Sequence, residues 1–384
     1  SQGNEREFLT EYFEKPEQTL DLVFLKGYQW PFDTNKIAGS SIIDIIVHHE
    51  VFHKGNRVFL DFRKDPKGLE KGWEGLSEET RNYLERSGAL LSTPIGRLRK
   101  MNPKAIGLYA SHGIDLSKEP LEISVCAQHN NGGLAVDAHW RTTLPGLYAA
   151  GEAAGTFGVS RPGGSALNST QAGSLRAAED IVLSGKKPLP AEELSGEAKA
   201  AVQTVWGQMK QLLRNGKTDL PAARKRFQEK MSLCAAHIRS LSGMKELAEE
   251  VNAALDGFFE ANGAGSPLEL PFAFKSRDML LVQQAMLSAM TAVGEACGSR
   301  GSALLAAPEG EELSLAGFLG SEVLSDYRFL PGNGLHRDHW IRTVREGGGV
   351  KTDFQTIRPL PRTDDWFENV WNEYNRRREA AGLS

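Results

Sequence analysis

The sequence predicts a mixed fold, α/β and α+β, in which part of an α/β domain is joined to an α+β region, a bundle of helices and a C-terminal β hairpin. Three observations carry that expectation. A short apolar run, Leu144-Pro-Gly-Leu-Tyr-Ala-Ala-Gly-Glu-Ala-Ala-Gly155, passes through Ser160-Arg-Pro-Gly-Gly-Ser-Ala-Leu-Asn-Ser169 into an Ala-rich segment, the order strand, glycine turn, helix. Apolar residues then recur at helical spacing from Glu192 to Ala296. Near the end, two β-rich runs flank Gly347-Gly-Gly349, a hairpin signal.

Taken in order, residues 1–118 mix short helices with β-branched runs, Ile42-Ile-Asp-Ile-Ile-Val47 and Arg57-Val-Phe-Leu-Asp-Phe62, and read as an α+β region. In residues 119–187, Gly146–Ala150 is apolar on both faces, as a buried parallel strand requires. Gly151 permits close approach, and Glu152 places a carboxylate at the carboxyl end of that strand, where such sheets bind ligands. Ser165–Val182 then reads as a helix whose first amides lack intrahelical partners and suit an electron-rich carbonyl or an anion. The alternative is an ordinary strand-turn-helix unit whose glycines only turn the chain.

Lys186-Lys-Pro-Leu-Pro190 is a linker. Residues 188–303 form the helical domain, with helices over Glu192–Asn215, Leu220–Leu241, Gly243–Asn262 and Ser276–Ala296. Met279, Val282, Met286, Ala289 and Val293 make a stripe expected to face the core. Residues 304–384 are the tail, with the hairpin built from His339–Val344 and Phe354–Pro359.

At 384 residues and 40% hydrophobic content, the chain can bury more than one core. A net charge of −4 argues against a nucleic-acid partner, which would ask for a basic face. No apolar run approaches the roughly 18 residues of a membrane span, and no signal peptide opens the chain, so a cytoplasmic location is expected. Cys126, Cys234 and Cys297 are odd in number and widely spaced, which suits a reducing compartment and no metal knot.

One motif points elsewhere. His49-Glu-Val-Phe-His53 spells His-Glu-x-x-His, which on a helix would set two imidazoles on one face for zinc with Glu50 as general base. The β-branched run before it and the Lys54-Gly-Asn56 turn after it predict a hairpin instead. On an extended strand the two histidines would lie about 13 Å apart, too far for one ion. Neighbouring His48 leaves adventitious metal binding open.

From Cys126 through Asp180 the chain resembles the flavoprotein subunit family of fumarate reductases, succinate dehydrogenases and L-aspartate oxidases. That family carries His-x-x-Gly-Gly, then Pro-Gly-Leu-Tyr-Ala-x-Gly-Glu, then Arg-x-Gly-x-x-x-Leu before a helix. All three blocks stand here in order: His129 with Gly132 and Gly133, Pro145 to Glu152, and Arg161 with Gly163 and Leu167. The resemblance implies that residues 119–187 are the C-terminal part of a flavin-binding α/β domain and that residues 1–118 are a partial capping domain. It implies further that His129 and Arg161 hold a carboxylate of the substrate, both being donors suited to an oxyanion. By the same resemblance Glu152 contacts FAD, Ala166 and Leu167 begin the helix whose backbone lies against the isoalloxazine ring, and Asn168 is a neighbour of that site. Ser299-Arg-Gly301 resembles the segment that closes the family's helical domain.

Two departures stand beside the match. No Gly-x-Gly-x-x-Gly occurs, so the loop that would seat the FAD pyrophosphate on a helix N-terminus is not among these residues, and the chain reads as the C-terminal part of a truncated or split flavoprotein. The family passes a proton from a capping-domain arginine in the region matching Pro31–Ile45, and no arginine lies between Arg6 and Arg57. Lys36 is the candidate proton donor there, though ammonium and guanidinium are not interchangeable. The expected function is an FAD-dependent oxidoreductase moving hydride between flavin and a small carboxylic acid, partnered by a separate FAD-binding chain or an electron-transfer subunit. The alternatives are a partner-binding module without flavin and, further off, a zinc hydrolase through His49, Glu50 and His53.

Overall fold

The computed structural model describes the chain except residues 1–4, 30, 127–131, 159–163, 186–190, 316, 358–365, 381 and 383–384. Its elements begin with α1 (Pro16–Tyr28), α2 (Ile42–His48), β1 (Val58–Leu60), α3 (Glu78–Arg86), α4 (Pro94–Met101), α5 (Pro103–Ser111) and β2 (Leu121–Ile123). There follow α6 (Ser165–Leu183), α7 (Ala191–Arg214), α8 (Leu220–Cys234), β3 (Ile238–Ser240), α9 (Leu241–Asp256), α10 (Phe258–Ala261) and α11 (Leu270–Cys297). The chain continues through β4 (Leu304–Glu311), β5 (Phe329–Leu330), β6 (His339–Glu346), β7 (Gly349–Thr356) and α12 (Trp366–Ala380). These elements form two compact units, residues 1–127 with 230–244 and 293–333, and residues 128–229 with 245–292 and 334–384. The mixed α/β and α+β class with added helices is the observed one.

In the first unit, the β-branched run at 42–47 is helix α2, not the expected strand. Ile42, Ile45 and Ile46 fall at i, i+3 and i+4 and are completely buried against Ile238, Leu304, Phe318 and Tyr327. Burying that stripe outweighs the modest intrinsic preference of isoleucine for strands. The helix continues as a π-turn over His49–His53, with Lys54 N donating to His49 O at 3.1 Å, so the expected hairpin and its 13 Å histidine separation are also corrected. The second predicted run survives as β1, antiparallel to β2 in the register Val58↔Ile123. The predicted helix Leu220–Leu241 stops at Cys234, because β3 pairs in parallel with β4, Ile238 opposite Leu304, and β4 pairs antiparallel with β5. Backbone committed to that three-stranded sheet cannot also close helical hydrogen bonds.

In the second unit, α6 fulfils the expected helix almost to the residue. Gly146–Ala150 does not form the expected parallel strand. Its Tyr148 makes a single antiparallel bridge to Arg141, with Thr142 N donating to Leu147 O at 2.9 Å and Ala149 N to Trp140 O at 3.2 Å. A buried parallel strand needs neighbours on its edges, and none of the described residues supplies them. On α11 the fully buried face runs through Ala273, Leu280 and Leu287, while Val282 is 57% exposed, so the methionine stripe is displaced from the core by part of a turn. The expected hairpin forms, but its second strand is Gly349–Thr356 rather than a run over 354–359, of which residues 358 and 359 lie outside the described residues: β6 and β7 pair from His339↔Thr356 to Glu346↔Gly349 around Gly347 (φ 58°) and Gly348 (φ 90°), both in the left-handed region that a tight hairpin turn demands.

Candidate functional site

The site is built from two glycine-rich segments laid against α6. Leu134 N donates to Ala153 O at 2.8 Å, and Gly155 N donates back to Leu134 O at 3.1 Å. A Cβ on Gly133 would lie 2.6 Å from Ala153 O and 2.7 Å from Ala154 C, so only glycine permits the two backbones to touch. Gly151 (φ 71°) opens a short 3-10 turn, Gly151–Ala153, and a Cβ there would meet Thr170 Cγ2 of α6 at 3.3 Å. That turn carries Glu152 and leaves it exposed.

The start of α6 is pinned by Thr170 Oγ1 donating to Ala166 O at 2.7 Å and by a 3.0 Å hydroxyl contact between Ser169 and Thr156. Gly164, at φ 80°, precedes it without a side-chain cap. Ala166 is half-buried, Asn168 is exposed, and Leu167 and Leu134 are 69% and 54% exposed. Glu152, Ala166, Leu167 and Asn168 are thus gathered where the Gly151 turn meets the first turns of α6. His129 and Arg161 lie outside the described residues.

Residues that the sequence reading passed over hold this arrangement together. Arg141 grips Asp180 through both Nε (2.7 Å) and Nη2, and Tyr148 Oη donates to the same carboxylate at 2.7 Å. His139 Nδ1 stands 3.8 Å from it. Hydrogen bonding from Arg141 is the main reason that the Asp180 carboxyl is held down at about 2, with Tyr148 adding to it against the opposing effect of burial. Trp140, at φ 62°, lays its indole on Gly173, where a Cβ would collide with Nε1 and Cε2. The available signal was the spacing of Gly173, Ala177 and Asp180, which puts a carboxylate on the small-residue face of α6 that packs inward.

Lys36 belongs to the first unit. It ends a 3-10 turn, Thr34–Lys36, capped by the Asp33 side chain accepting from Asn35 N at 2.9 Å, and it is half-buried. Thr34 N donates to Gly301 O at 2.9 Å, tying this turn to the Ser299-Arg-Gly301 segment. Ser40 and Ser41, completely buried, spend their hydroxyls locally, Ser40 on the Gln29 amide oxygen at 3.1 Å and Ser41 accepting from Asp33 N at 3.0 Å.

The His-Glu-x-x-His motif is helical after all, with the His49 and His53 rings stacked at 5.3 Å, and Glu50 is held within a hydrogen-bond network there. It is 1% exposed and accepts from Tyr12 Oη (2.7 Å), Lys54 Nζ (2.8 Å) and Asn56 Nδ2 (2.7 Å). Burial alone would raise its pKa, but hydrogen bonds from Lys54, Asn56 and Tyr12 outweigh that and bring it to about 2, too low for a general base near neutrality. Among the described residues no group of three potential ligands is placed to hold a metal ion. No helix of the described residues is long and apolar enough to cross a membrane.

Comparison with known proteins finds likenesses over part of the chain. A family model described as an FAD binding domain matches residues 27–167. The chain is 28% identical over 149 residues to one subunit of the fumarate reductase (CoM/CoB) of Methanothermobacter marburgensis, covering 38% of this chain and 26% of that protein. It is 40% identical over 81 residues to the L-aspartate oxidase of Streptomyces coelicolor, covering 21% and 14%. In fold it is similar to an E. coli quinol fumarate reductase chain, with a TM-score of 0.53 at 18% identity over 82% of this chain and 48% of the other. The chain therefore spans less than two thirds of the relatives it matches. The matched stretch is an FAD binding domain, so the cofactor is FAD, and over part of its length the chain is similar to fumarate reductase and L-aspartate oxidase proteins.

Proposed function

We propose that this chain forms the capping and C-terminal portions of an FAD-dependent oxidoreductase acting on a small carboxylic acid. The observation that carries the reading is the Gly133–Gly155 crossing, which a single Cβ would break and which sets exposed Glu152 beside the start of α6. Apolar Leu134 and Leu167, a carboxylate and the first amides of a helix suit the ring end of a flavin, with its flat apolar body and polar edge. No Gly-x-Gly-x-x-Gly loop stands in this sequence to seat the pyrophosphate, so this reading assigns that role to polypeptide outside these residues, in the same chain or in a partner.

When bound, FAD supplies the hydride chemistry. The residues of this chain then act by position and charge. Glu152, Ala166, Leu167 and Asn168 would hold the cofactor, His129 and Arg161 would hold the substrate carboxylate, and Lys36 would deliver the proton. The Arg141–Asp180–Tyr148 network keeps α6 fixed against the Tyr148 segment, so that its first turn stays in register with Glu152. An electron-transfer subunit is the partner class this reading implies.

The test is made on the flavoprotein assembled with its pyrophosphate-binding portion. Arg161→Ala is expected to weaken binding of a dicarboxylic acid by roughly ten- to a hundredfold, the scale of a lost charge-assisted pair, while FAD occupancy is retained. Equal loss of acid and flavin would place Arg161 elsewhere. Absence of flavin from the assembled wild-type protein would favour the partner-binding module instead.

A further inference from the structure

The end of α2 gathers imidazoles that the flavin chemistry does not use. His48, His49 and His237 are buried, at 6%, 7% and 8% exposure, and His53 lies at the rim. The His48 and His237 rings meet edge to face at 5.1 Å, and His48 Nδ1 is 2.8 Å from the hydroxyl of Tyr327, itself 1% exposed. Both ring nitrogens of His237 lack a hydrogen-bond partner, as does His49 Nδ1. His237 immediately precedes β3, and its carbonyl accepts from Leu304 N at 2.8 Å, so this ring pair lies where α2 packs on the β3–β4–β5 sheet.

We propose that His48 and His237 form an acid-sensitive switch, which holds α2 on the β3–β4–β5 sheet while both rings are neutral and releases it when they take up protons. A protonated His237 would bury two donors with no acceptor, beside a second imidazolium about one ring's width away. The surrounding charges offer no relief. From its own stretch His48 faces His49 and His53, and from the Ser325–Tyr327 turn it meets only the hydroxyl of Tyr327. His237 faces Phe32 and the positive charge of Lys26 on α1, whose own ion pair is with Asp44. Of the nearby carboxylates, Glu50 is committed to Tyr12, Lys54 and Asn56, and Asp326 is 3.9 Å from His53 at the rim.

Burial, with His53 and His49 adding, lowers His48 to about 4, and burial, with His48 and Lys26 adding, lowers His237 to about 3. Released into solvent, both rings return toward about 6.5. The released state therefore binds more protons, so the packed state is fully favoured above about pH 6.5 and loses ground as the pH falls toward 4. Two such groups shift the release equilibrium by up to about a hundredfold per pH unit, and by several hundredfold between about pH 7.5 and 5. The segment released includes the start of α2, which follows the Thr34–Lys36 turn after residues 37–41.

Hydrogen exchange, corrected for intrinsic rates, tests this on the whole chain. Amides of Ile42–His48 should lose several hundredfold of protection between about pH 7.5 and 5, and in His237→Phe, which keeps an aromatic ring and removes one proton site, the loss should shrink to roughly thirtyfold. An identical loss in wild type and His237→Phe overturns the proposal. Should the variant not fold, nitrogen NMR of the wild-type imidazoles decides: His48 and His237 remaining neutral down to about pH 5 while α2 stays packed supports the switch, and either ring titrating near 6.5 in the packed state overturns it.

Discussion

Replacing Glu50 with glutamine separates a structural carboxylate from a catalytic one. The side chain keeps its shape but loses its charge beneath Lys54, Tyr12, Asn56 and, at 3.4 Å, Arg6. A carboxyl lowered from its ordinary 4.5 to about 2 contributes about 3 kcal/mol of stability near neutrality, at about 1.4 kcal/mol per pKa unit. The sign follows from the depressed pKa: the contribution is complete above about pH 4.5 and is lost as the pH falls through about 2. At about pH 3 it has shrunk to roughly half. Urea unfolding of wild type and Glu50→Gln at about pH 7 and pH 3 should therefore show a destabilisation of about 3 kcal/mol that roughly halves in acid. An equal destabilisation at both pH values would refute the charge argument. Loss of bound zinc or of a hydrolase activity at unchanged stability would revive the metal reading.

Gly173→Ala gains up to about 1 kcal/mol of helix propensity but drives a methyl into the Trp140 indole, so a net loss of up to about 2 kcal/mol and a shifted tryptophan emission are expected; unchanged emission would show that the indole does not rest there. Asp180→Asn should weaken amide protection in the second half of α6 by roughly tenfold, the scale of one charge-assisted hydrogen bond, and protection equal to wild type would remove the network from the argument. In the assembled flavoprotein, Lys36→Met should lower kcat with acid affinity nearly intact, and unchanged turnover would send the search for the proton donor elsewhere.

Local rules written into the sequence were sufficient where a segment satisfies itself. The hairpin of β6 and β7 needs only alternation and two glycines that accept positive φ, and α6 needs only its Ala-rich, proline-free run; α6 stands where expected, and the hairpin forms around its expected glycines. The motif order through His129, Glu152 and Arg161 was enough to point to FAD and to the relatives later matched, because three spaced blocks are far more specific than one. Tertiary structure decided the rest, wherever the partner of a segment is distant in sequence. Ile42–Val47 has the composition of a strand and folds as a helix because Ile238, Leu304 and Tyr327 bury one stripe of it. Gly146–Ala150 has the composition of a parallel strand and is not one, since no edge is offered to it among the described residues. Glu50 sits in a catalytic-looking motif, yet Tyr12, Lys54 and Asn56 make it a structural anion. His237 lies far from His48 in sequence, and only the pairing of β3 with β4 beneath α2 brings the two rings together.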